Sequence, residues 1–165
     1  MRNQMTVSCL AAAVLMTGLA CGTYAGESKK VALSDVPESA QAAIKKFAGE
    51  NAISKIKQKS EDGKVVYEAK LKVNDLKQEI EVLADGTVIT TEKEIRLTQT
   101  PDAVQKAINQ AATGGTVKEV VEENEGGKVS YEAEIVVNGT KKEIKFSADG
   151  KILESEDKDK EKESK

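Results

Sequence analysis

The sequence predicts an α+β protein of two tandem repeats, each one helix packed on a four-stranded antiparallel β-meander. Three observations carry that expectation. The stretch "GKVVYEAKLKVN" from Gly63 returns as "GKVSYEAEIVVN" from Gly127. An apolar stripe at helical spacing precedes each copy, and three turn dipeptides recur in the same order around it. The copies align without a gap: Pro37 with Pro101, Ile44 with Ile108, Tyr67 with Tyr131, Asn74 with Asn138 and Gly86 with Gly150, each pair 64 residues apart.

Each helix is expected to begin at a proline, Pro37 or Pro101, with Glu38 or Asp102 at its positive end and Thr100 as an N-cap of the second. The stripes are Ala40, Ala43, Ile44, Phe47 and Ala48, then Val104, Ala107, Ile108, Ala111 and Ala112. Gly49 and the pair Gly114–Gly115 are expected to end the helices. The turns are Asp62–Gly63 with Gly126–Gly127, Asn74–Asp75 with Asn138–Gly139, and Asp85–Gly86 with Asp149–Gly150. Such dipeptides tolerate the positive φ of tight hairpins. Strand alternation then sends Val65, Tyr67, Ala69, Leu71 and Val73 toward the helix, as it does Val129, Tyr131, Ala133, Ile135 and Val137. The other face carries Val66, Glu68, Lys70 and Lys72 in one copy and Ser130, Glu132, Glu134 and Val136 in the next. Neighbouring strands add Glu79, Glu81, Glu143 and Lys145, and no helix remains to cover this face.

The organisation that follows is a signal peptide over 1–25, one repeat over 31–95, a second over 96–154, and a charged disordered tail over 155–165. The signal rests on Arg2 followed by the apolar run "LAAAVLMTGLA", too short for a membrane span of roughly 20 residues, with cleavage after Ala25. "TGLAC" also resembles a lipobox, which makes Cys21 a candidate lipidation site. The protein is therefore expected to be exported, periplasmic or extracellular, or alternatively anchored through lipid on Cys21. The tail "ESEDKDKEKESK" has no apolar residue and cannot bury surface enough to fold.

Composition narrows function further. The chain has no histidine, and cleavage after Ala25 would remove Cys9 and Cys21, its only cysteines. Triads, thiol nucleophiles, disulfides and ordinary zinc sites then lack their residues. A net charge of −3 and the absence of tryptophan argue against nucleic-acid and stacking partners. Glu68, Glu132 and Glu134 could be imagined as catalytic carboxylates, but an open sheet face beside lysines promises little of the burial that separates pKa values. Glu119, Glu122, Glu123 and Glu125, or Asp157, Asp159 and Glu161 in the tail, lack the pattern of a calcium loop. Asn138-Gly139-Thr140 fits a glycosylation acceptor, yet it is also what a hairpin turn demands. Tyr67 and Tyr131 alternate in phase with core residues. No enzyme, cofactor or metal is expected.

With these elements placed, "VPESAQAAIKKFAGENAISKIKQKSEDGKVVYEAKLKVN" and "TPDAVQKAI…GGKVSYEAEIVVNGTKKEIKFSADGKIL" each resemble a PepSY-like domain. The paired arrangement is similar to that of secreted β-lactamase inhibitor proteins, though without their disulfides or aromatic contact surface. That resemblance implies non-catalytic binding or inhibition outside the cytoplasm, of an envelope or extracellular protein such as a peptidase. The contact residues it would use are Val66, Glu68, Lys70, Lys72, Ser130, Glu132, Glu134 and Val136. A small-ligand or cation sensor and a passive structural envelope protein remain the alternatives.

Overall fold

The computed structural model describes residues 28–61 and 63–158. The signal segment, Cys9, Cys21, Asp62, Asp159 and Glu161 lie outside the described residues. Among the described residues nine strands form one sheet in strict chain order, every neighbouring pair antiparallel. They are β1 (Lys29–Lys30), β2 (Ile53–Glu61), β3 (Lys64–Val73), β4 (Leu76–Leu83), β5 (Val88–Glu94), β6 (Gly115–Glu125), β7 (Lys128–Val137), β8 (Thr140–Ser147) and β9 (Ile152–Asp157). Among the described residues two α-helices interrupt the sequence of strands, α1 (Glu38–Ala48) and α2 (Asp102–Ala111), each preceded by a short 3-10 turn, Leu33–Asp35 or Leu97–Gln99.

This corrects the expected architecture. Two repeats, each a helix on its own four-stranded meander, are not what forms. Instead β5 pairs with β6, setting Thr91 against Asn124, Glu92 against Glu123 and Glu94 against Val121. The physical reason is the edge: a meander ending at β5 would leave a row of unpaired backbone donors and acceptors, and β6 satisfies them. Alternation within strands cannot reveal such a pairing, because it lies between segments separated by a whole helix. The two-residue β1 at the sheet's edge was likewise not expected. At the other edge, β9 continues through Asp157, past the residue-155 boundary drawn for the charged tail.

Both helices lie on one face. Residues directly opposite each other share a face, and the ladder Ile56–Ala69–Ile80–Thr91–Asn124–Val129 runs unbroken across the central strands. Along this face α1 packs Ala40 and Ile44 with Val36 on Ile56, Tyr67, Ala69, Ile80 and Val82. Helix α2 packs Val104 and Ile108 on Val120, Tyr131, Ala133, Ile135, Ile144 and Phe146. Alanines at Ala40, Ala69 and Ala133, fully buried, let helix and sheet approach closely. Val65 departs from the expected core, being 40 % exposed near a hairpin end.

The helix starts also differ in detail. Pro37 and Pro101 are N-caps with extended ψ near 145°, one position earlier than expected. Thr100 is not the N-cap of α2; it closes the 3-10 turn Leu97–Gln99, and its hydroxyl donates to the Leu97 carbonyl. Gly49 closes α1 at φ 58°, whereas α2 is capped by Ala112, Gly114 turns at φ 77° and Gly115 already begins β6.

The Asp-Gly turns have a second task. At Gly86, with φ 87°, an added Cβ would lie 2.7 Å from the Ser39 carbonyl oxygen; at Gly150, with φ 81°, it would lie 2.6 Å from that of Ala103. Each turn thus tucks under the first turn of its helix, where only glycine fits. Gly86→Ala is expected to cost about 2–3 kcal/mol, from clash and strained φ together. Gly127→Ala, where φ is 89° but nothing lies within 4 Å, should cost about 1 kcal/mol. Thermal melting of the two variants measures the difference.

Candidate functional site

The opposite face of the sheet carries no helix among the described residues. The register between strands shifts at four places, Ile53/Lys55, Glu81/Val82, Val117/Glu119 and Lys145/Phe146, where β-bulges or similar irregularities interrupt the ladders. The residues expected to form a contact surface do fall on this face, but they are unequally available. Val66 is 1 % exposed, and Glu68 and Ser130 are also buried. Glu132, Glu134 and Val136 are half-buried, Lys70 is half-buried and Lys72 is exposed. With no covering element, that burial comes from neighbouring side chains crowding together. Val66 is therefore not a free contact residue, despite its face.

Register defines what crowds what. One row runs Lys70, Glu79, Glu92, Glu123, Ser130. A second runs Glu68, Glu81, Thr90, Glu125, and a third Glu94, Val121, Glu132, Lys145, Glu154. A fourth is entirely acidic: Glu119, Glu134, Glu143, Glu156. Like charges directly opposite each other destabilise a sheet, so cations must come from elsewhere or the carboxylates must take up protons.

In the N-terminal half the cations come from the chain itself. Glu68, Glu79 and Glu81 bring carboxylate oxygens within 4.8 Å of one another. Lys59 Nζ lies 2.5 Å from Glu81 and 2.7 Å from Glu61, and Lys70 Nζ lies 2.5 Å from Glu79. Glu68 Oε1 makes no hydrogen bond but has Lys70 and Lys57 ammonium groups at 3.3 and 3.5 Å. Burial works against the charge on Glu68, yet Lys70, Lys57 and Lys59 together hold its carboxyl below the usual range. Lys59 is likewise desolvated, and its hydrogen bonds to Glu61 and Glu81 outweigh that and push it up. Three ammonium groups thus already occupy the place a metal ion would take.

The C-terminal half is different. Lys145 pairs with Glu123, Lys141 lies 2.6 Å from Glu134, and Lys158 lies 3.2 Å from Glu143 and 3.0 Å from Glu156. No described residue forms a hydrogen bond or ion pair with the side chains of Glu92, Glu132 or Glu154. Burial, then the nearby charges of Glu143, Glu92 and Glu123, push Glu132 up to about 7 against the partial opposition of Lys145. Glu92 and Glu79 are also raised, burial leading in both. This overturns the expectation that the face offers its carboxylates little burial. A carboxyl near neutrality meets one requirement of acid–base chemistry. Beside Glu132 lies a shallow hollow of about 80 Å³, lined also by Glu143, Lys145, Glu154 and Glu156.

A larger depression of about 370 Å³ lies on the same face, where β3 to β6 meet. Lys70, Lys72, Lys77, Glu79, Glu92 and Glu119 contribute to its lining. Lys77 Nζ bridges to both oxygens of Glu119 at 3.0 Å, tying β4 to β6. Glu92, Glu119 and Glu123 enter the site only because β5 and β6 pair; their composition was legible but their place was not. Of the acidic run on β6, Glu122 faces the helices, where it accepts from the Tyr131 hydroxyl at 3.3 Å.

The comparisons can now be set beside this geometry. No protein-family model matches the chain, and no curated protein matches it. Solved structures do. A DUF2874 family protein from Bacteroides uniformis is 20% identical with a TM-score of 0.60, over 74% of this chain and 89% of its own. A predicted periplasmic protein from Bacteroides eggerthii is 20% identical with a TM-score of 0.61, over 74% and 88%. A BLIP-like protein from Bacteroides fragilis is 22% identical with a TM-score of 0.58, over 74% and 86%. The chain therefore has a fold similar to that BLIP-like protein and to DUF2874 proteins. At these identities the likeness shows the fold alone, and the finer PepSY-like assignment is not carried by it. Among the described residues no helix is long and apolar enough to cross a membrane.

The raised pKa of Glu132 has a stability consequence. The folded state holds this proton to about pH 7, whereas an unfolded glutamate releases it near its ordinary value of 4.5. Between those limits the native state binds more protons, so this group's contribution is intact below pH 4.5 and is lost as pH rises through 7. After allowance for solvent screening the loss is about 1–2 kcal/mol. Melting curves from pH 5 to 8 should show a decline in the native chain that Glu132→Gln reduces. An identical slope in the variant would place the proton elsewhere.

Proposed function

We propose that this chain is an exported, non-catalytic binding protein that engages, and in doing so inhibits, an envelope or extracellular protein such as a peptidase. The observation that carries this reading is the face without a helix among the described residues: a wide sheet surface, crowded with charged side chains, with a depression where β3 to β6 meet. A sheet whose two faces differ so sharply needs water or a partner on the uncovered one. Supporting it are the similar folds of a BLIP-like protein and of a predicted periplasmic protein. The lack of histidine throughout the chain fits a protein that binds and does not catalyse. Export would follow from the N-terminal apolar segment, with either a free end at Gly26 or a lipid on Cys21. The inhibitory step is steric, a partner's working surface being covered by the sheet.

Photo-crosslinking tests this. A photoreactive side chain placed at Lys72 or Val136 on the open face, and at Lys46 or Lys106 on the helices, is irradiated in envelope extract. Adducts of one defined protein from the open-face positions, and none from the helix positions, are expected. The identified partner, if a peptidase, should lose activity when the chain is added. Adducts from the helix positions alone, or from none, would overturn the reading.

A further inference from the structure

The junction between β5 and β6 is built from parts whose counterparts stand at the two ends of the sheet. Counting 64 residues along, β9 is the counterpart of β5, and β2 is that of β6. Among the described residues β9 has no strand on its outer side, and β2 has only the two residues of β1. β1 repeats one end of the junction. Lys29 lies opposite Gln58 and Lys30 opposite Lys57, as Lys93 lies opposite Glu122 and Glu94 opposite Val121. Val31 then donates to the Ile56 carbonyl at 3.1 Å, as Ile95 does to that of Val120 at 2.9 Å. There the likeness stops. Glu92 and Thr91 carry β5 on along Glu123 and Asn124, whereas Lys59 and Ser60 of β2 have no described strand beside them. Alternation from the Ile56 carbonyl turns the Ser60 N–H toward that edge. Alternation from Lys158, which donates to Lys141, turns the Ser155 N–H away from β8. Leu153 beside it is 59 % exposed, while its counterpart Ile89 is half-buried next to β6 and accepts from Gly126.

We propose that a second copy of this chain covers these edges, β9 of one molecule pairing with β2 of the next, antiparallel and in the register of the β5–β6 junction. This concerns the ends of the sheet and stands without the docking reading above. An edge strand is a template for another strand, and natural sheets blunt their edges with charge, proline or very short strands. β1 is such a short strand at one end; at the other, β9 opens with the exposed pair Ile152 and Leu153. Charge selects which edges meet. β2 carries Lys55, Lys57 and Lys59 against one acid, Glu61, and β9 carries Glu154, Glu156 and Asp157 with no lysine. Joining β9 to β9, or β2 to β2, sets like charge against like, which destabilises a ladder. In the junction's register Glu156 comes opposite Lys59, Ser155 opposite Ser60 and Asp157 opposite Gln58. The like pairs, Glu154 with Glu61 and Lys158 with Lys57, fall at the two ends. Lys59 already serves Glu61 and Glu81, so the gain is backbone pairing and cover for Leu153, and charge decides the choice of edge. Asp157 and Lys158 take the places of Lys29 and Lys30, so β1 peels away; two exposed residues open locally at little cost. The contact is head to tail, and each added copy presents a fresh edge unless a ring closes.

Sedimentation of the full mature chain over a range of concentrations provides the test, and its mean mass is expected to rise above that of one chain. Ser155→Pro removes an outward N–H from β9, and Ser60→Pro removes one from β2. Proline is accepted on a strand whose N–H faces away from its neighbour, and unchanged melting confirms that each variant folds. Each alone should sediment as one chain. Mixed in equal amounts they should form a dimer and nothing larger, because one keeps its β2 edge and the other its β9 edge. Leu153→Glu, at an exposed position where folding is not at stake, should weaken association at least tenfold. A native chain that stays single at every concentration, any of the three variants assembling as the native chain does, or a mixture that remains single would overturn the proposal. So would assembly seen only in a chain that begins at Ser28, which would make the residues before β1 the occupant of the β2 edge.

Discussion

The pairing of β5 with β6 is the constraint on which the rest depends. Backbone donors at a strand edge must find acceptors, and here the edge of the first group of strands finds them in the second. The link is anchored at both ends, by Ile95 donating to Val120 at 2.9 Å and by Gly126 donating to Ile89 at 3.1 Å. Once made, it forces the helices to one side, because residues facing each other across the junction must share a face. It also joins two half-faces into one uncovered surface. Had β5 and β6 stayed apart, Glu92 would never meet Glu123, and the acidic centre of the sheet would not exist.

That centre is a local conflict which the fold tolerates. Cross-strand glutamates repel, and the N-terminal half resolves the repulsion internally with Lys57, Lys59 and Lys70. The C-terminal half resolves it partly, through Lys141, Lys145 and Lys158, and leaves Glu132 to hold a proton near neutrality. Natural sequences give up stability at places where something other than folding is being served. The helix faces show no such conflict: their clusters are apolar and closely packed, with the tyrosine hydroxyl at Tyr131 satisfied. The changes between the halves differ in kind: core-facing positions stay apolar even where they change, as from Val82 to Phe146, whereas several open-face positions change charge. The core-facing pairs Tyr67 and Tyr131, Ala69 and Ala133, and Ile80 and Ile144 are identical, while the open-face pair Lys70 and Glu134 reverses sign.

Much of this was legible in residue order. Alternation in "VVYEAKLKV" and "VSYEAEIVV" assigned Tyr67, Ala69 and Leu71 to one face and Glu68 and Lys70 to the other, because a strand's period is fixed at two. The Asn and Asp-Gly turns located the hairpins, since few residues accept positive φ. What could not be read was the joining of the strands into a single sheet, a non-local pairing with no periodic signature. The burial of Val66, Glu68 and Ser130 was hidden for a related reason: it arises from crowding among side chains on neighbouring strands. The shift at Glu132 was hidden too, because burial leads it and part of the rest comes from Glu92, which lies on a strand the sequence had placed in another unit.

Amide hydrogen exchange across the junction tests the central claim most directly, since one continuous sheet makes β5 and β6 interior strands. The amides of Ile95 and of the residues Thr91 to Glu94 and Val121 to Asn124 that take part in the junction ladder should exchange about as slowly as those of β3 and β7. Exchange there as fast as at the edge strand β9, with β3 and β7 still protected, would mean that the halves separate in solution and that no continuous open face exists.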